Sequence, residues 1–145
     1  SSAEALAGAE KNLALNGLPG RADLRAGNAF DALRALEARR ERFGVVVLDP
    51  PPFTRRKESV EAAARGYKEI NLRGLRVLEP GGVLATFSCS HHVTPALFEA
   101  ICREAAGDAG IAVRVLATLG PSLDHPVLLN VPESRYLKGL LLQTL

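Results

Sequence analysis

Residues 85–92 read ATFSCSHH, so a cysteine stands among small polar and titratable side chains at the end of an apolar run. The chain contains two cysteines, Cys89 and Cys102. A thiolate at Cys89 could add to an electrophilic carbon where neighbouring donors or cations favour its charged form. The alternative is that Cys89 packs as a small apolar side chain, the commoner use of a free cysteine. Cys102 lies in a helical apolar pattern and is expected in the core.

A second cluster follows the run GVVVLDPPPF, in which Asp49 precedes three prolines and Phe53. Pro50 and Pro51 restrict the backbone of the turn. A carboxylate in such a rigid loop can accept a hydrogen bond from the N–H groups of a flat heterocycle, while an aromatic ring stacks on its face. The alternative is a proline-rich turn in which Asp49 caps backbone amides.

The segment RAGNAFDAL places Asn28, Ala29 and Phe30 at another predicted strand end. These residues either meet the adenine of a nucleoside or begin a helix, with Asn28 or Asp31 as its N-cap.

A basic segment directly follows the Asp-Pro-Pro cluster and suits contacts with phosphate groups. Without such a partner it is a solvated surface patch. Its residues are Arg55, Arg56 and Lys57.

The histidines suggest two weaker alternatives. His91, His92 and His125 match no standard spacing of zinc ligands when combined with Cys89, so no metal site is expected. A Cys–His hydrolase dyad oriented by Asp124 is also conceivable, but no nucleophile-turn motif accompanies it.

Apolar periodicity predicts strands and helices in alternation. Helices are predicted from an N-cap at Ser1 or Ser2 to Asn16-Gly17, and over 31–42, 58–78 and 95–109. Strands are predicted at 22–27, within GVVVLDPPPF, and at 83–88, 111–120 and 134–145.

This alternation predicts an open α/β sheet with helices on both faces. The unbroken aliphatic run before Asp49 indicates a strand buried on both faces, Pro80 and Gly81 are expected to end the third helix, and the last strand is expected at an antiparallel edge. Ligands of such sheets bind beyond the carboxyl ends of the strands. The clusters at Asp49 and Cys89 are therefore expected side by side.

Composition sets outer limits on function. The chain has 145 residues, 47% of them apolar, which suits one packed domain. No apolar run is long enough to cross a membrane, and two distant cysteines indicate a reduced, cytoplasmic protein rather than a disulfide framework. A net charge of +2 does not by itself require a nucleic-acid partner. The absence of Met suggests a piece of a longer protein.

Several segments taken together resemble the catalytic domain of bacterial large-subunit (23S) ribosomal RNA cytosine-5 methyltransferases. They read NLALNG, GNAFDAL, VVVLDPPPF, YKEINLRGLRVLEPGGVLATFSCSHH and DHPVLLNVPESRYLKG. The resemblance implies a Rossmann-like class I methyltransferase sheet, S-adenosylmethionine (SAM) as cofactor, ribosomal RNA as partner, no membrane association and a cytoplasmic location. It leaves a homodimer open.

The resemblance also implies roles for the clusters. Cys89 would be the nucleophile that adds to carbon 6 of cytosine. Asp49 would hold the N3/N4 edge of the base and contribute to the cofactor site. The other implied site residues are Asn28, Ala29 and Phe30 for the adenine end of SAM, and Pro50, Pro51, Phe53, Arg55, Arg56 and Lys57 for the RNA. Lys68 and Asn71 would contact substrate or only support the site.

Two elements of the resembled family are missing from the sequence: the glycine-rich loop that receives SAM, and the acidic residue that holds its ribose. Residues 1–145 are therefore expected to form the C-terminal part of a methyltransferase domain, inactive alone, with that loop and an RNA-binding PUA domain upstream. Two alternatives stay open. A base N-methyltransferase would use the Asp-Pro-Pro-Pro-Phe loop without a thiol, and an RNA-binding module would have lost catalysis.

Overall fold

The computed structural model describes residues 3–53 and 59–145. The helices are α1 (Ala3–Leu15), α2 (Ala29–Ala38), α3 (Val60–Arg76) and α4 (Pro95–Ala109), and the strands are β1 (Phe43–Leu48), β2 (Leu78–Ser88), β3 (Val113–Leu119) and β4 (Lys138–Thr144), with a 3-10 helix at Pro132–Ser134. The strand order is β1-β2-β4-β3. β1 and β2 are parallel, whereas β4 runs antiparallel to both of its neighbours. The α/β class expected from the sequence is confirmed.

Local signals set the ends of two helices. Thr94 accepts a backbone hydrogen bond at 3.2 Å in the first turn of α4, and Gly110 ends that helix with a left-handed φ of 68°. Gly17 follows α1 with a φ of 70°. Glycine adopts this geometry without a steric penalty, which explains why both ends lie where the sequence predicts them. The N-cap expected at Ser1 or Ser2 lies outside the described residues.

The second helix lies further towards the N-terminus than predicted. It spans Ala29–Ala38 instead of 31–42, because the Asn28 side chain accepts the amide hydrogen bond of Phe30 at 2.9 Å and starts the helix there. Arg40 has a φ of 57°, which does not continue a right-handed helix.

The strand predicted at 22–27 does not form. A strand needs a neighbour for its N–H and C=O groups, and among the described residues no strand pairs with this segment.

Pro80 and Gly81 do not end the third helix, which stops at Arg76. They lie inside β2, where Phe43 pairs with Leu78 but the next paired residue of β1 meets Val83. The extra residues form a bulge, and Gly81 adopts a φ of 77° within it.

The sheet is buried on one face. Helices α3 and α4 pack against it, and Tyr67, Phe98 and Leu84 are among the fully buried side chains of this layer. On the other face of β1, Val45 and Val47 are 63% and 62% exposed. The expectation that β1 is buried on both faces is therefore wrong for the described residues.

The last strand, β4, is antiparallel as expected, but it is not an edge strand. It inserts between β2 and β3 and pairs with both, so β1 and β3 form the edges of the described sheet. The neighbours of a strand depend on the path of the chain in the whole fold. The apolar pattern within one strand does not specify them.

Glu37 joins α2 to α3 through two arginines. Its carboxylate lies 2.6 Å from the Arg73 guanidinium and 3.0 Å from that of Arg76. The hydrogen bond from Arg73 holds the pKa of Glu37 below its ordinary value of 4.5, although partial burial opposes the shift.

We expect Glu37→Gln to lower the free energy of unfolding by about 1 kcal/mol at pH 7. A carboxylate whose pKa is lowered by folding stabilises the fold at pH values above its unfolded-state pKa. This stabilisation is lost as the pH falls through the folded-state pKa. The difference between wild type and variant should therefore shrink below about pH 4.5, which urea unfolding at a series of pH values measures. Glu41→Gln, at an exposed pair with Arg39, is the control and should change stability by less than about 0.5 kcal/mol. A difference that persists unchanged at low pH would contradict the prediction.

None of the helices formed by residues 3–53 and 59–145 combines the length and hydropathy that a membrane span requires.

Candidate functional site

The two chemical clusters meet at one edge of the sheet. β1 and β2 are parallel neighbours, with Leu48 opposite Thr86, so their carboxyl ends lie side by side. The sulfur of Cys89 is 4.0 Å from the carbonyl oxygen of Pro50. The juxtaposition expected from the sequence is confirmed.

Cys89 occupies an intermediate position between core and solvent. Ser88 and Ser90 on either side of it are fully buried, whereas Cys89 itself is half-buried. Cys102 behaves differently, because it is buried in α4 and burial raises the pKa of its thiol to about 12. Cys102 is therefore a core residue, as predicted. A thiol of that pKa stays protonated at neutral pH.

A cleft of about 460 Å³ lies beside the β1 end and falls within the usual size range of small-molecule sites. The cleft brings together the residues predicted to bind the cofactor and the target nucleobase, with the exception of Cys89. They are Asn28, Ala29, Phe30, Asp49, Pro50, Pro51 and Phe53, joined by Gly27, Val47, Leu48 and Ile70.

Asn28 performs the helix-capping role that the sequence left open. Its side-chain oxygen accepts the Phe30 amide hydrogen bond, and the exposed residue also forms part of the cleft wall. The contact of Asn28 with adenine stays a prediction.

A series of aromatic rings connects the cleft to the core. The ring centroids of Phe30 and Phe53 are 5.9 Å apart, those of Phe53 and Tyr67 4.5 Å, and those of Tyr67 and Phe98 5.6 Å. Phe53 also covers Gly66 so closely that a Cβ at Gly66 would lie 3.0 Å from the ring. Phe53 is thus fixed by packing at the cleft wall.

Two buried residues that the sequence reading missed hold the turn after β2. The Tyr67 hydroxyl lies 2.8 Å from the hydroxyl oxygen of Ser90. Lys138, only 6% exposed, donates hydrogen bonds from its ammonium group to the carbonyl oxygens of Ser90 and Val93, both at 2.6 Å. A signal for Lys138 exists in the sequence, because strand alternation places it on the same face as the buried Leu140.

Lys68 and Asn71 support the fold rather than line the cleft. The Lys68 ammonium forms ion pairs with Glu104 at 3.2 Å and with Asp108 at 2.9 Å, which join α3 to α4, and the hydrogen bond to Asp108 raises its pKa. Asn71 is buried and donates to the Tyr67 carbonyl oxygen at 2.8 Å. The basic residues Arg55, Arg56 and Lys57 lie outside the described residues.

The histidines form neither of the alternative sites in the described part of the chain. The rings of His91 and His92 lie edge to face, and His125 is 3.4 Å from Asp124 at an exposed position. Within residues 3–53 and 59–145, no hydrogen bond joins Cys89 to a histidine, and no three His, Cys, Asp or Glu side chains group as metal ligands.

The chain is similar in sequence to bacterial proteins named ribosomal RNA large subunit methyltransferase I. It is 45% identical over 140 residues to the protein of Citrobacter koseri, covering 96% of this chain and 35% of that protein. It is 44% identical over the same length, with the same coverage, to that of Klebsiella pneumoniae strain 342. The chain thus spans about a third of the length of these relatives. No protein-family profile matches it.

Solved methyltransferase structures share the fold. SMU.776, a candidate methyltransferase complexed with SAH, superposes with a TM-score of 0.82 at 21% identity, over 98% of this chain and 37% of its own. A methyltransferase homologue from Pyrococcus horikoshii gives a TM-score of 0.68 at 20% identity, over 99% of this chain and 51% of its own. The Rossmann-like methyltransferase fold expected from the sequence is confirmed. The chain is therefore similar, along nearly its whole length, to a segment that makes up about one third of each of these proteins named ribosomal RNA large subunit methyltransferase I.

Proposed function

We propose that the protein containing this chain is a SAM-dependent methyltransferase that forms 5-methylcytosine in large-subunit ribosomal RNA in the cytoplasm. The observation that carries the proposal is the meeting of the half-buried Cys89 with the Asp49-Pro50 turn at one sheet edge. Relatives 45% and 44% identical are named as ribosomal RNA methyltransferases, which supports the substrate class.

The proposal places residues 1–145 in the C-terminal part of a methyltransferase domain. A glycine-rich SAM loop and an RNA-binding domain would belong to other parts of the full-length protein. The chain covers about 35% of the length of its relatives, which is compatible with further domains in the full-length protein. A homodimer finds no support in the relatives' names or in the described residues, and it stays a prediction.

The cleft beside β1 fits the adenosyl part of SAM. Its volume of about 460 Å³ suits a nucleoside, and Phe30 gives it an aromatic surface beside the exposed carboxylate of Asp49. Asn28, Ala29 and Phe30 would contact the adenine. When bound, SAM supplies an electrophilic methyl group.

Carbon 5 of cytosine is a weak nucleophile, and the proposed role of Cys89 is to make it a stronger one. The thiolate adds to carbon 6, an S–C6 bond forms, and the electron pair of the C5–C6 double bond becomes available at carbon 5. Carbon 5 attacks the methyl carbon, and the electron pair of the broken methyl–sulfur bond stays on the cofactor's sulfur. A base then removes the C5 proton, the C5–H pair restores the double bond, and the thiolate leaves.

The residues around Cys89 would hold the cytosine ring for this addition. Asp49 would bond the N3/N4 edge of cytosine and favour the protonated adduct. Pro50, Pro51 and Phe53 would shape and line the base pocket, and the packing of Phe53 against Gly66 and Tyr67 supports a fixed wall. Arg55, Arg56 and Lys57 would contact RNA phosphates.

Mass mapping of ribosomal RNA, with chromatography of the modified nucleoside against 5-methylcytidine and N4-methylcytidine standards, tests the proposal. RNA from cells lacking the full-length protein, incubated with that protein and SAM, should gain one methyl group at carbon 5 of a cytosine. A methyl group on an exocyclic nitrogen would instead favour the base N-methyltransferase, to which the Asp-Pro-Pro-Pro-Phe loop at residues 49–53 is also suited. RNA binding without methyl transfer would favour the non-catalytic module.

A further inference from the structure

We propose that Gly66 is a positioning residue for the base pocket: because it has no side chain, the ring of Phe53 can pack against α3 and form the wall of the cleft. The inference concerns the same site as the proposed function and rests on it for the reaction that the pocket serves. Gly66 lies in the interior of α3, between Val60 and Arg76. Glycine is among the least favourable residues in a helix interior, so its presence there points to a packing requirement.

The Phe53 ring occupies the space that a side chain at position 66 would take. A Cβ on Gly66 would lie 3.0 Å from Cδ2 of Phe53, 3.4 Å from Cε2 and 3.6 Å from Cγ. Carbon atoms that are not bonded to each other pack best at about 3.5–4.0 Å. An alanine at position 66 would therefore displace the ring by a few tenths of an ångström.

The neighbours of Phe53 decide the direction in which the ring moves. Tyr67, with its centroid 4.5 Å away, is fully buried and does not yield. Its hydroxyl lies 2.8 Å from that of Ser90, and its ring packs edge to face on Phe98. Phe30 lies farther away, at 5.9 Å, and both Phe30 and Phe53 line the cleft. The ring therefore yields on its remaining side, towards the cleft.

The face of α3 that carries Gly66 is the one that faces this cleft. Ile70 follows four residues later, is 3% exposed and lines the cleft. Residues four apart share a helix face. Gly74 continues this face, and a Cβ there would lie 2.8 Å from Cδ1 of Leu48, another residue of the cleft wall. The two glycines thus bring α3 close to both Phe53 and Leu48.

A shift of the Phe53 ring affects the loop that would hold the target base. Asp49 and Phe53 are joined by three prolines, whose rings restrict the backbone between them. The position of Phe53 against Gly66 therefore constrains the position of Asp49 as well. A misplacement of about 1 Å at a reacting group can cost about 10²-fold in rate, so a few tenths of an ångström should cost about tenfold.

Gly66→Ala in the full-length protein tests the inference. We expect kcat for transfer of a labelled methyl group from SAM to ribosomal RNA to fall about tenfold. The KM values for SAM and RNA should change by less than about twofold, because the substitution displaces the pocket wall and removes no binding group. Alanine's higher helix propensity offsets the crowding, so the midpoint of thermal unfolding should stay within about 3 °C of wild type.

Gly107→Ala is the matched control, because Gly107 also lies in a helix, α4, but at an exposed position. Apart from its own helix backbone and chain neighbours, no atom of residues 3–53 and 59–145 lies within 4 Å of the place a Cβ would take. This variant should keep the wild-type kcat. An equal fall of kcat in Gly107→Ala would overturn the inference, as would a wild-type kcat in folded Gly66→Ala.

A second comparison shows whether Gly66 acts through Phe53. Leucine at position 53 is smaller than phenylalanine and leaves room for a Cβ at position 66. In the Phe53→Leu background, Gly66→Ala should therefore change methyl transfer by less than about twofold. A tenfold loss in that background would overturn the inference. This comparison also decides the question if Gly66→Ala alone does not give the wild-type circular dichroism spectrum.

The outcome is separable from that of the proposed function, because the assay counts every methyl group transferred, whichever atom receives it. If the methyl group is found on an exocyclic nitrogen while Gly66→Ala lowers kcat only in the presence of Phe53, the cytosine mechanism fails and the role of Gly66 stands. If carbon 5 is methylated at the wild-type rate by Gly66→Ala, the role of Gly66 fails and the proposed function stands. A wild-type protein that transfers no methyl group would overturn both.

Discussion

Cys89→Ala is expected to reduce methyl transfer to ribosomal RNA by the full-length protein at least about 10³-fold, because removal of a covalent nucleophile leaves carbon 5 unactivated. The sulfur lies 4.0 Å from the Pro50 carbonyl oxygen at the rim of the sheet, where a base held by Asp49 would present carbon 6. Transfer of a labelled methyl group from SAM to the RNA measures the loss.

Cys102→Ala provides the control for that experiment. This second thiol is buried in α4, and its pKa of about 12 excludes a nucleophilic role at neutral pH. We expect the variant to keep wild-type methyl transfer and to lose about 1 kcal/mol of stability. Full activity in Cys89→Ala would rule out the cytosine-5 mechanism and favour the base N-methyltransferase, which needs no thiol.

Tyr67→Ala is expected to lower the free energy of unfolding by about 3–5 kcal/mol, the usual cost of deleting a buried aromatic ring. Tyr67 is fully buried, its ring lies 4.5 Å from that of Phe53 and 5.6 Å from that of Phe98, and its hydroxyl contacts Ser90. The substitution removes the side chain that joins the cleft wall to the cysteine turn. Thermal or urea unfolding of the full-length protein measures the loss.

Tyr67→Phe separates the two contributions of this side chain. It keeps the ring packing and removes the hydroxyl, so we expect a loss of about 1 kcal/mol, the usual contribution of one hydrogen bond. Tyr136→Ala, at a residue 36% exposed, should change stability by less than about 0.5 kcal/mol. A Tyr67→Ala variant as stable as Tyr136→Ala would show that the aromatic series does not hold this layer together.

The sequence by itself determined the features that depend on nearby residues. Helix α4 runs from Pro95 to Ala109 as predicted, because Thr94 caps its first turn and Gly110 stops it. The alternation of strands and helices predicted that two parallel strands would bring Asp49 and Cys89 to one edge. The ends of α4 follow from helix capping, and the placement of Asp49 beside Cys89 follows from the handedness of crossover connections. Neither rule depends on the rest of the fold.

The tertiary structure decided what depends on partners distant in sequence. The segment 22–27 alternates like a strand but has no pairing partner among residues 3–53 and 59–145. Strand β4 lies inside the sheet because it pairs with β2 on one side and with β3 on the other. Lys138 contacts Ser90 and Val93, which precede it in the chain by 48 and 45 residues, because of the register between β2 and β4. A hydrogen bond across a sheet forms only when two segments occupy adjacent positions in space, and a periodic pattern within one segment does not specify the other.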